Sequence, residues 1–145
     1  MDSFKIRPIE ANDYHSNYFE LLSQLTICPK PNFQLWENFI HALNADHHII
    51  VLIDISTNQI IGAGTILLEN KIIHNMGKVG HIEDIVTDSS YRGKGLGKLI
   101  INYLSDYAKE QGAYKVILDC ADENVGFYKK CDLEVKGVQM AKYFH

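Results

Sequence analysis

One segment constrains this chain more than any other feature of its sequence: the glycine-rich turn, Arg92-Gly93-Lys94-Gly95-Leu96-Gly97-Lys98. It lies between a predicted strand at 79–87, which the acidic pair Glu83-Asp84 interrupts, and a helical pattern of apolar residues at 96–107. Glycines let backbone N–H groups approach an anion closely, and the unpaired donors of a first helical turn point at the same place. Its arginine and lysines add positive charge. The turn therefore predicts a strand–turn–helix unit that binds a phosphate-bearing ligand, although glycines also occur in plain loops.

Two common phosphate-binding motifs do not match the sequence of this turn. A Walker A loop requires Ser or Thr after its Gly-Lys pair and a wider glycine spacing, whereas Gly97-Lys98 is followed by Leu99. A dinucleotide-binding fingerprint requires a strand that ends directly before the glycines, whereas a five-residue turn at 88–92 precedes them here. The sequence therefore disfavours a nucleoside triphosphatase and a dinucleotide-dependent enzyme.

Length and composition indicate a single α/β domain, which we expect to span residues 1–145. A chain of this size buries roughly two-thirds of its unfolded surface, and 46% hydrophobic with 22% charged residues is typical of a soluble protein. No apolar run approaches the roughly 20 residues that span a bilayer, and the first residues pass directly into a strand pattern without a signal peptide. We expect a cytoplasmic protein that does not bind membranes.

Charge and cysteine content exclude further classes. A net charge of −4 disfavours general affinity for nucleic acid, which depends on many Lys and Arg contacts to phosphate. Cys28, Cys120 and Cys131 form neither an even set nor a CxxC pair, so they are predicted to be reduced thiols rather than disulfides or zinc ligands. We expect no metal.

Hydrophobic periodicity predicts the element order β-α-α-β-β-β-α-β-α-β, a mixed sheet with helices packed on it. The predicted strands are 4–9, 49–55, 60–68, 79–87, 115–120 and 135–144, the last as one strand or two. The predicted helices contain the apolar positions at 18–25, 36–43, 96–107 and 124–130, with the aromatic residues at 36–39 assigned to the core. Gly62 and Gly64 indicate close packing, and Gly112 ends the third helix.

The strand followed by Arg92-x-x-Gly95-x-Gly97 and a helix resembles the acyl-coenzyme A signature of the GNAT N-acetyltransferases, and the resemblance covers essentially the whole chain. Further segments resemble the glucosamine 6-phosphate N-acetyltransferase branch: 71–74 (KIIH), 80–85 (GHIEDI), 114–120 (YKVILDC) and 124–131 (NVGFYKKC). The resemblance implies a GNAT fold, with a mixed central sheet, flanking helices and strands that splay apart at the acyl-CoA site. It implies transfer of acetyl from acetyl-CoA to the amine of glucosamine 6-phosphate, in the biosynthesis of UDP-N-acetylglucosamine.

For the coenzyme, the resemblance implies a β-bulge in the strand at 79–87, which leaves backbone donors near its end for the thioester and pantetheine. The implied coenzyme contacts are Ile85, Val86, Thr87, Arg92, Gly93, Lys94, Gly95, Leu96, Gly97, Lys98, Asn124, Tyr128, Lys129 and Lys130. Tyr128 matches the family tyrosine near the sulfur, where a phenol O–H can stabilise the departing thiolate. Its alternative role is packing beside Phe127.

Adjacent Glu83 and Asp84 point to opposite faces of an ideal strand, so one of them has no simple place in a core. By resemblance, both contact the sugar hydroxyls and the amine region. Asp119 matches the carboxylate that positions or helps to deprotonate the amine, and it is our first choice for the catalytic carboxylate. Whether Glu83 or Asp119 is the effective base stays open, because coupled carboxylates can share that role. For either acid alone, a surface ion pair is the alternative.

For the sugar phosphate, the resemblance implies contacts from several segments. They are Thr26, Lys71, Ile72, Ile73, His74, Glu83, Asp84, Ile85, Tyr114, Lys115, Asp119, Lys142 and Tyr143. Two positions depart from the family pattern. Asp132 replaces the glycine usual after the motif cysteine, and Tyr143 stands where some members carry an arginine directed at the phosphate, for which Lys142 is a substitute. Lys71 is equally well read as a solvated charge, and His74 as a turn cap.

Family members form dimers through the C-terminal strand, and 140–144 (MAKYF) resembles that segment. The resemblance therefore implies a homodimer with shared active sites. Two alternative functions are an acetyltransferase for a peptide or polyamine amine, which needs an open acceptor groove, and a non-catalytic coenzyme A-binding module. The presence of Asp119 and Tyr128 argues against the second.

Overall fold

The computed structural model describes residues 3–145, so the first two residues of the predicted domain lie outside it. Its five strands form one sheet in chain order: β1 (Phe4–Pro8), β2 (His47–Asp54), β3 (Gln59–Asn70), β4 (Lys78–Thr87) and β5 (Lys115–Ile117). The first four strands pair antiparallel, whereas β5 pairs parallel to β4. The predicted mixed sheet is confirmed.

The helices lie on both sides of this sheet. They are α1 (Tyr18–Leu22), α2 (Phe33–Ala42), the single turn α3 (Ile73–Met76), α4 (Leu96–Glu110) and α5 (Val125–Lys129). Three short 3-10 helices, which the sequence did not predict, are Ala11–His15, Ser89–Tyr91 and Asp122–Asn124. Gly112 has a φ of 92° just after α4, as predicted for a residue that ends a helix. Among the described residues, no helix has the length and apolar character needed to cross a bilayer.

The two faces of the sheet carry separate apolar layers. On β2, Ile50 and Leu52 pack with α4, whereas Ile49, Val51 and Ile53 pack on the other face with α1 and α2. Alternate side chains of a strand point to opposite faces, so a strand covered on both sides needs an uninterrupted apolar sequence. The run at 49–53 provides it, and its burial holds the centre of the sheet rigid.

Close packing of α4 on β3 depends on glycine. A Cβ added at Gly64 would lie 2.7 Å from Ile85 Cδ1 and 2.9 Å from Ile100 Cγ2, and one at Gly62 would lie 2.9 Å from Ile100 Cδ1. Neither position leaves room for a side chain. The predicted close packing at both glycines is confirmed, and it sets the distance between α4 and the sheet.

Several predicted elements are shorter than expected or absent. Leu25 lies beyond the end of α1, β5 ends at Ile117, and Phe39 is 47% exposed although its stripe was assigned to the core. The predicted strand at 135–144 is wrong for the structure of one chain, because the tail (residues 134–145) pairs with none of the described strands. A strand needs a neighbour for its backbone hydrogen bonds, and the tail has none among the described strands.

We predict that Gly64→Ala lowers the free energy of unfolding by about 1–3 kcal/mol, because the methyl group overpacks the contact between α4 and β3. Gly126→Ala on α5 is the matched control. A Cβ there meets nothing within 4 Å, and replacing a helical glycine stabilises by up to about 1 kcal/mol. Urea denaturation of the two variants measures both effects. Equal stability of the two would contradict the packing argument.

Candidate functional site

The glycine-rich turn lies where the sequence predicted it, directly before α4. Gly93 and Gly95 have φ angles of 83° and 75°, a left-handed conformation that residues with side chains rarely adopt. Gly97 serves a different purpose, since a Cβ there would lie 2.9 Å from Phe127 Cζ. Two glycines thus permit the backbone path of the turn, and the third lets the start of α4 contact α5.

The start of α4 is well suited to an anion. The first N–H groups of this 15-residue helix have no intrahelical partner, as in any α-helix. Because the N-cap residue is Gly95, no N-cap side chain accepts a hydrogen bond from them either. Arg92, Lys94 and Lys98 are exposed, and none of them forms a salt bridge with the described part of the chain. Free N–H donors, a helix dipole and three cations fit a pyrophosphate group.

A buried carboxylate holds this turn in place. The Tyr91 hydroxyl donates a 2.5 Å hydrogen bond to Asp54 Oδ2, and Asp54 Oδ1 accepts from the N–H and Oγ of Ser56. Asp54 is only 7% exposed, and the hydroxyls of Tyr91 and Ser56 hold its pKa below the ordinary value. Sequence reasoning missed both Asp54 and Tyr91. The Asp-x-Ser spacing indicates a local turn at 54–56, but no sequence signal links it to a tyrosine 37 positions away.

β4 contains the expected β-bulge, opposite Gly64. Ala63 pairs with Val86 and Thr65 with Glu83, so β4 has two residues where β3 has one. Asp84 lies in the bulge with a φ of 53°. Because the extra residue breaks the alternation of the strand, Glu83 and Asp84 are both exposed, between buried Ile82 and Val86.

β4 and β5 part soon after they begin to pair. Their ladder contains three pairs, ending at His81 with Ile117, while β4 continues to Thr87. Beyond His81, no strand of the described residues covers the β5 side of β4. The predicted splay is therefore confirmed, and it leaves a gap that ends beside Ser89–Tyr91 and the glycine-rich turn.

The charges of three carboxylates affect one another at this gap. Partial desolvation raises the pKa of Glu83, and the negative charges of Asp84 and Asp119 raise it further, while His81 opposes them. The structure thus brings Asp119, which follows β5, close enough to Glu83 to alter its proton affinity. A carboxylate with a raised pKa is a stronger base, which suits proton removal from an amine.

Tyr128 lies on α5 and is half-buried, with its ring 5.0 Å from that of Phe127 in an edge-on arrangement. Burial raises the pKa of the Tyr128 phenol, and the neighbouring Cys120 and Cys131 add to the effect. The phenol therefore keeps its proton near neutral pH. Within the described residues its hydroxyl makes no side-chain hydrogen bond, so it can donate to a ligand as well as pack.

The predicted sugar-phosphate residues fall into separate groups. Lys71 Nζ lies 3.1 Å from Glu69, which also contacts His81 at 2.9 Å. The His74 ring lies 4.4 Å from the Tyr114 ring, and Lys115 Nζ lies 5.7 Å from the same ring.

Both groups lie near the start of β4. Lys115 pairs with Val79, whereas Glu83 lies further along β4, about 13 Å away at the rise of a strand. Lys115 and Glu83 therefore lie at different positions along β4.

The remaining predicted sugar contacts lie on exposed segments. Thr26 is exposed on the loop between α1 and α2, and Ile72 and Ile73 are 83% and 60% exposed beside the left-handed turn at His74. Lys142 and Tyr143 lie on the tail, where no side-chain hydrogen bond or ion pair joins them to the rest of the described chain. Their roles stay predictions.

Two cavities lie away from these residues. One of about 660 Å³ is lined by β1 and the segment around Ala11–His15, and one of about 270 Å³ by α2, β2 and Tyr107. Neither contains a predicted site residue. In residues 3–145, no group of acidic, histidine or cysteine side chains is arranged to hold a metal ion.

Comparison with known proteins places this geometry in a family. The chain matches the model of the acetyltransferase (GNAT) family over residues 10–133. It is 42% identical to a glucosamine 6-phosphate N-acetyltransferase of Arabidopsis thaliana, over 99% of this chain and 98% of that protein. It is 44% identical to glucosamine 6-phosphate N-acetyltransferase 1 of Dictyostelium discoideum, over 98% of this chain and 92% of that protein.

Comparison with solved structures leads to the same family. The crystal structure of glucosamine-6-phosphate N-acetyltransferase from Arabidopsis thaliana matches with a TM-score of 0.92 at 42% identity, covering 99% of this chain and 100% of that one. A Trypanosoma brucei acetyltransferase matches with a TM-score of 0.90 at 32% identity, covering 97% of this chain and 99% of that one.

Proposed function

The chain belongs to the acetyltransferase (GNAT) family, and we propose that it transfers an acetyl group from acetyl-CoA to the amine of glucosamine 6-phosphate. The products are N-acetylglucosamine 6-phosphate and CoA, a step toward UDP-N-acetylglucosamine. Relatives that bear this name are similar over nearly the whole chain, which favours a sugar phosphate over a peptide or polyamine. The observation that carries the proposal is the cluster of Glu83, Asp84 and Asp119 in the gap between β4 and β5, beside the glycine-rich turn.

The gap and the turn provide the two parts of a coenzyme site. The pyrophosphate binds the N–H groups and cations of the glycine-rich turn. The pantetheine arm follows the uncovered side of β4 near Ile85, Val86 and Thr87, where backbone groups can pair with its amides. This path directs the thioester toward the bulge, where Glu83 and Asp84 are exposed.

The carboxylates act on the attacking amine, and Tyr128 acts on the departing thiolate. Asp119 or Glu83 accepts a proton from the sugar ammonium, directly or through water, and the neutral nitrogen attacks the thioester carbon. Backbone donors near the bulge stabilise the oxygen as it gains charge. When the C–S bond breaks, its electron pair stays on sulfur, and the Tyr128 hydroxyl donates a hydrogen bond to the thiolate. The nitrogen, which became positively charged on attack, loses its second proton as the amide forms, and this proton converts the thiolate to the thiol of CoA.

We propose further that the enzyme is a homodimer whose active sites are shared. The tail exposes Val138, Met140, Tyr143 and Phe144, each at least 85% accessible, which is unusual for large apolar side chains of a monomer. Lys142 and Tyr143, two predicted contacts of the sugar phosphate, lie on this exposed tail, so pairing of the tail with a second copy would bring them to a shared site. We also propose a cytoplasmic location, since three free cysteines suit a reducing compartment.

Glucosamine 6-phosphate should be acetylated far faster than glucosamine, because the smaller sugar leaves polar partners of the phosphate unpaired. Such a loss changes specificity by up to roughly 10⁴-fold. Steady-state kcat/KM values for the two sugars, a polyamine and a lysine peptide measure the preference. Equal turnover of the two sugars, or a preference for the peptide, would contradict the proposed substrate.

Asp119→Asn should still bind acetyl-CoA but lose activity by roughly 10² to 10⁴-fold. In this variant Glu83 is the remaining base, and it must be deprotonated to act, so the kcat/KM of the variant falls as the pH drops through the pKa of Glu83. Removing the charge of Asp119 lowers that pKa, so the acidic limb of the remaining activity should move to lower pH.

Calorimetry of coenzyme binding and pH–rate profiles test these effects. Asp106→Asn, at an exposed position on α4, is the control and should change neither property. Parental activity of Asp119→Asn would show that this carboxylate has no catalytic role.

Removal of residues 138–145 should abolish sugar acetylation and shift the protein from dimer to monomer. Because these residues are exposed in a single chain, the truncated protein should keep its circular dichroism spectrum and its affinity for acetyl-CoA. Sedimentation velocity reports assembly, and a coupled thiol assay reports turnover. A truncated monomer with unchanged activity would refute the shared site.

A further inference from the structure

The loop between α1 and α2, residues 23–32, is attached to the rest of the fold near both ends. Near its C-terminal end, the Tyr14 hydroxyl donates a 2.7 Å hydrogen bond to the carbonyl of Pro31. Near its N-terminal end, the side chain of Gln24 reaches across to the 3-10 helix after β4. The intervening stretch carries Thr26 and is mostly exposed, with Ile27 at 91%, and Cys28 packs against the apolar layer that includes α1 and α2.

Gln24 makes a two-point contact. Its Oε1 accepts a 2.9 Å hydrogen bond from the N–H of Ser89, and its Nε2 donates to Asp88 Oδ2 at 3.3 Å. The oxygen and the nitrogen of the Gln24 amide thus both form hydrogen bonds, and their two partners are consecutive residues more than 60 positions away from Gln24 in the chain. We call this contact the Gln24 clasp.

Hydrogen bonds orient the partner side of the clasp. The N–H of Asp88 donates to the carbonyl of Ile61 on β3 at 2.8 Å. Its second carboxylate oxygen, Oδ1, accepts from the N–H of Ser90 at 2.8 Å and from the Ser90 hydroxyl at 2.6 Å. These bonds leave Oδ2 directed at Gln24, and they hold the pKa of Asp88 below its ordinary value, so the carboxylate is charged at neutral pH.

The clasp lies between the two parts of the coenzyme site. Asp88 follows Thr87 at the end of the uncovered part of β4, and Ser89–Tyr91 leads directly into the glycine-rich turn. A coenzyme that binds both parts restrains the backbone on either side of Asp88. Gln24, on the other side of the clasp, is two residues from Thr26, a predicted contact of the sugar.

We propose that Gln24 is a positioning residue that couples acetyl-CoA binding to the order of the loop at 23–32. Coenzyme binding stiffens the segment at 88–90, the clasp transmits this to the loop, and the sugar phosphate then binds with less ordering of its own. The identity of the acceptor rests on the proposed function, whereas the link between coenzyme and loop does not.

Hydrogen exchange tests the link without any sugar. Saturating CoA should slow amide exchange in residues 23–31 of the parent protein, and Gln24→Ala should abolish that protection while changing the CoA affinity less than about twofold. Gln34→Ala is the matched control, because its amide donates to Asn38 Oδ1 on α2 at 2.9 Å, away from the clasp. It should keep the protection.

A second variant separates the clasp from a general loss of structure. Gln24→Glu places a carboxylate against Asp88 and should lose the protection, and adding Asp88→Asn should restore it, because the donor and acceptor then exchange sides. Equal protection in Gln24→Ala and the parent, or no protection by CoA in the parent, would overturn the proposal.

Steady-state kinetics test whether the clasp affects binding of the acceptor sugar. Gln24→Ala should raise the KM for glucosamine 6-phosphate at saturating acetyl-CoA by about fivefold to thirtyfold, the range expected for two hydrogen bonds. Because coupling is reciprocal, the affinity for acetyl-CoA should fall by a similar factor when the sugar is present, whereas the affinity for CoA without the sugar stays nearly unchanged. An unchanged KM for the sugar would refute the coupling. If the parent protein does not acetylate this sugar, the proposed function fails, and hydrogen exchange still decides whether the clasp operates.

Discussion

The parting of β4 from β5 after His81 is the constraint on which the rest of the site depends. A strand inside a sheet normally uses its backbone groups on both sides, whereas this part of β4 is covered by β3 alone. Groups left uncovered in this way can bind the amides of an extended ligand. The bulge at Asp84 acts at the same place, because it turns two consecutive carboxylates out of the core. The opening proposed for the coenzyme and the carboxylates proposed to act on the amine therefore arise from one irregularity of the sheet.

Packing contacts away from the site fix the positions of α4 and the glycine-rich turn. Gly62 and Gly64 let α4 approach β3 closely, so the first turn of α4 has a defined position relative to the bulge on β4. Asp54 at the end of β2 holds Tyr91 and with it the path into the glycine-rich turn. A mobile turn would lose entropy on binding a pyrophosphate, and these contacts reduce that loss. The proposed coenzyme site thus lies on the closely packed part of the fold, while several of the proposed acceptor contacts lie on an exposed loop and an exposed tail.

The prediction for 135–144 was wrong for a reason that applies to any strand. Alternating or β-branched residues show that a segment is able to form a strand, but they do not supply the neighbour that a strand requires. Within one chain the tail has no such neighbour, and Val138 and Phe144 remain exposed. The residues assigned to the phosphate share this limitation. Lys71 pairs with Glu69, and Lys115 lies beside Tyr114, so the sequence identified cations without showing where their charge is used.

The sequence by itself determined the features that depend on neighbouring residues. Glycine spacing predicted the turn before α4, periodicity predicted most strands and the long helix, and adjacent Glu83 and Asp84 indicated a break in the core pattern, because each of these is a local property. Tertiary structure decided which distant groups meet: Asp119 with Glu83, Tyr91 with Asp54, and Gln24 with Asp88. These contacts have no local signal. They arise because burial of the apolar runs on both faces of the sheet brings the ends of separate elements together, and that burial depends on the whole chain.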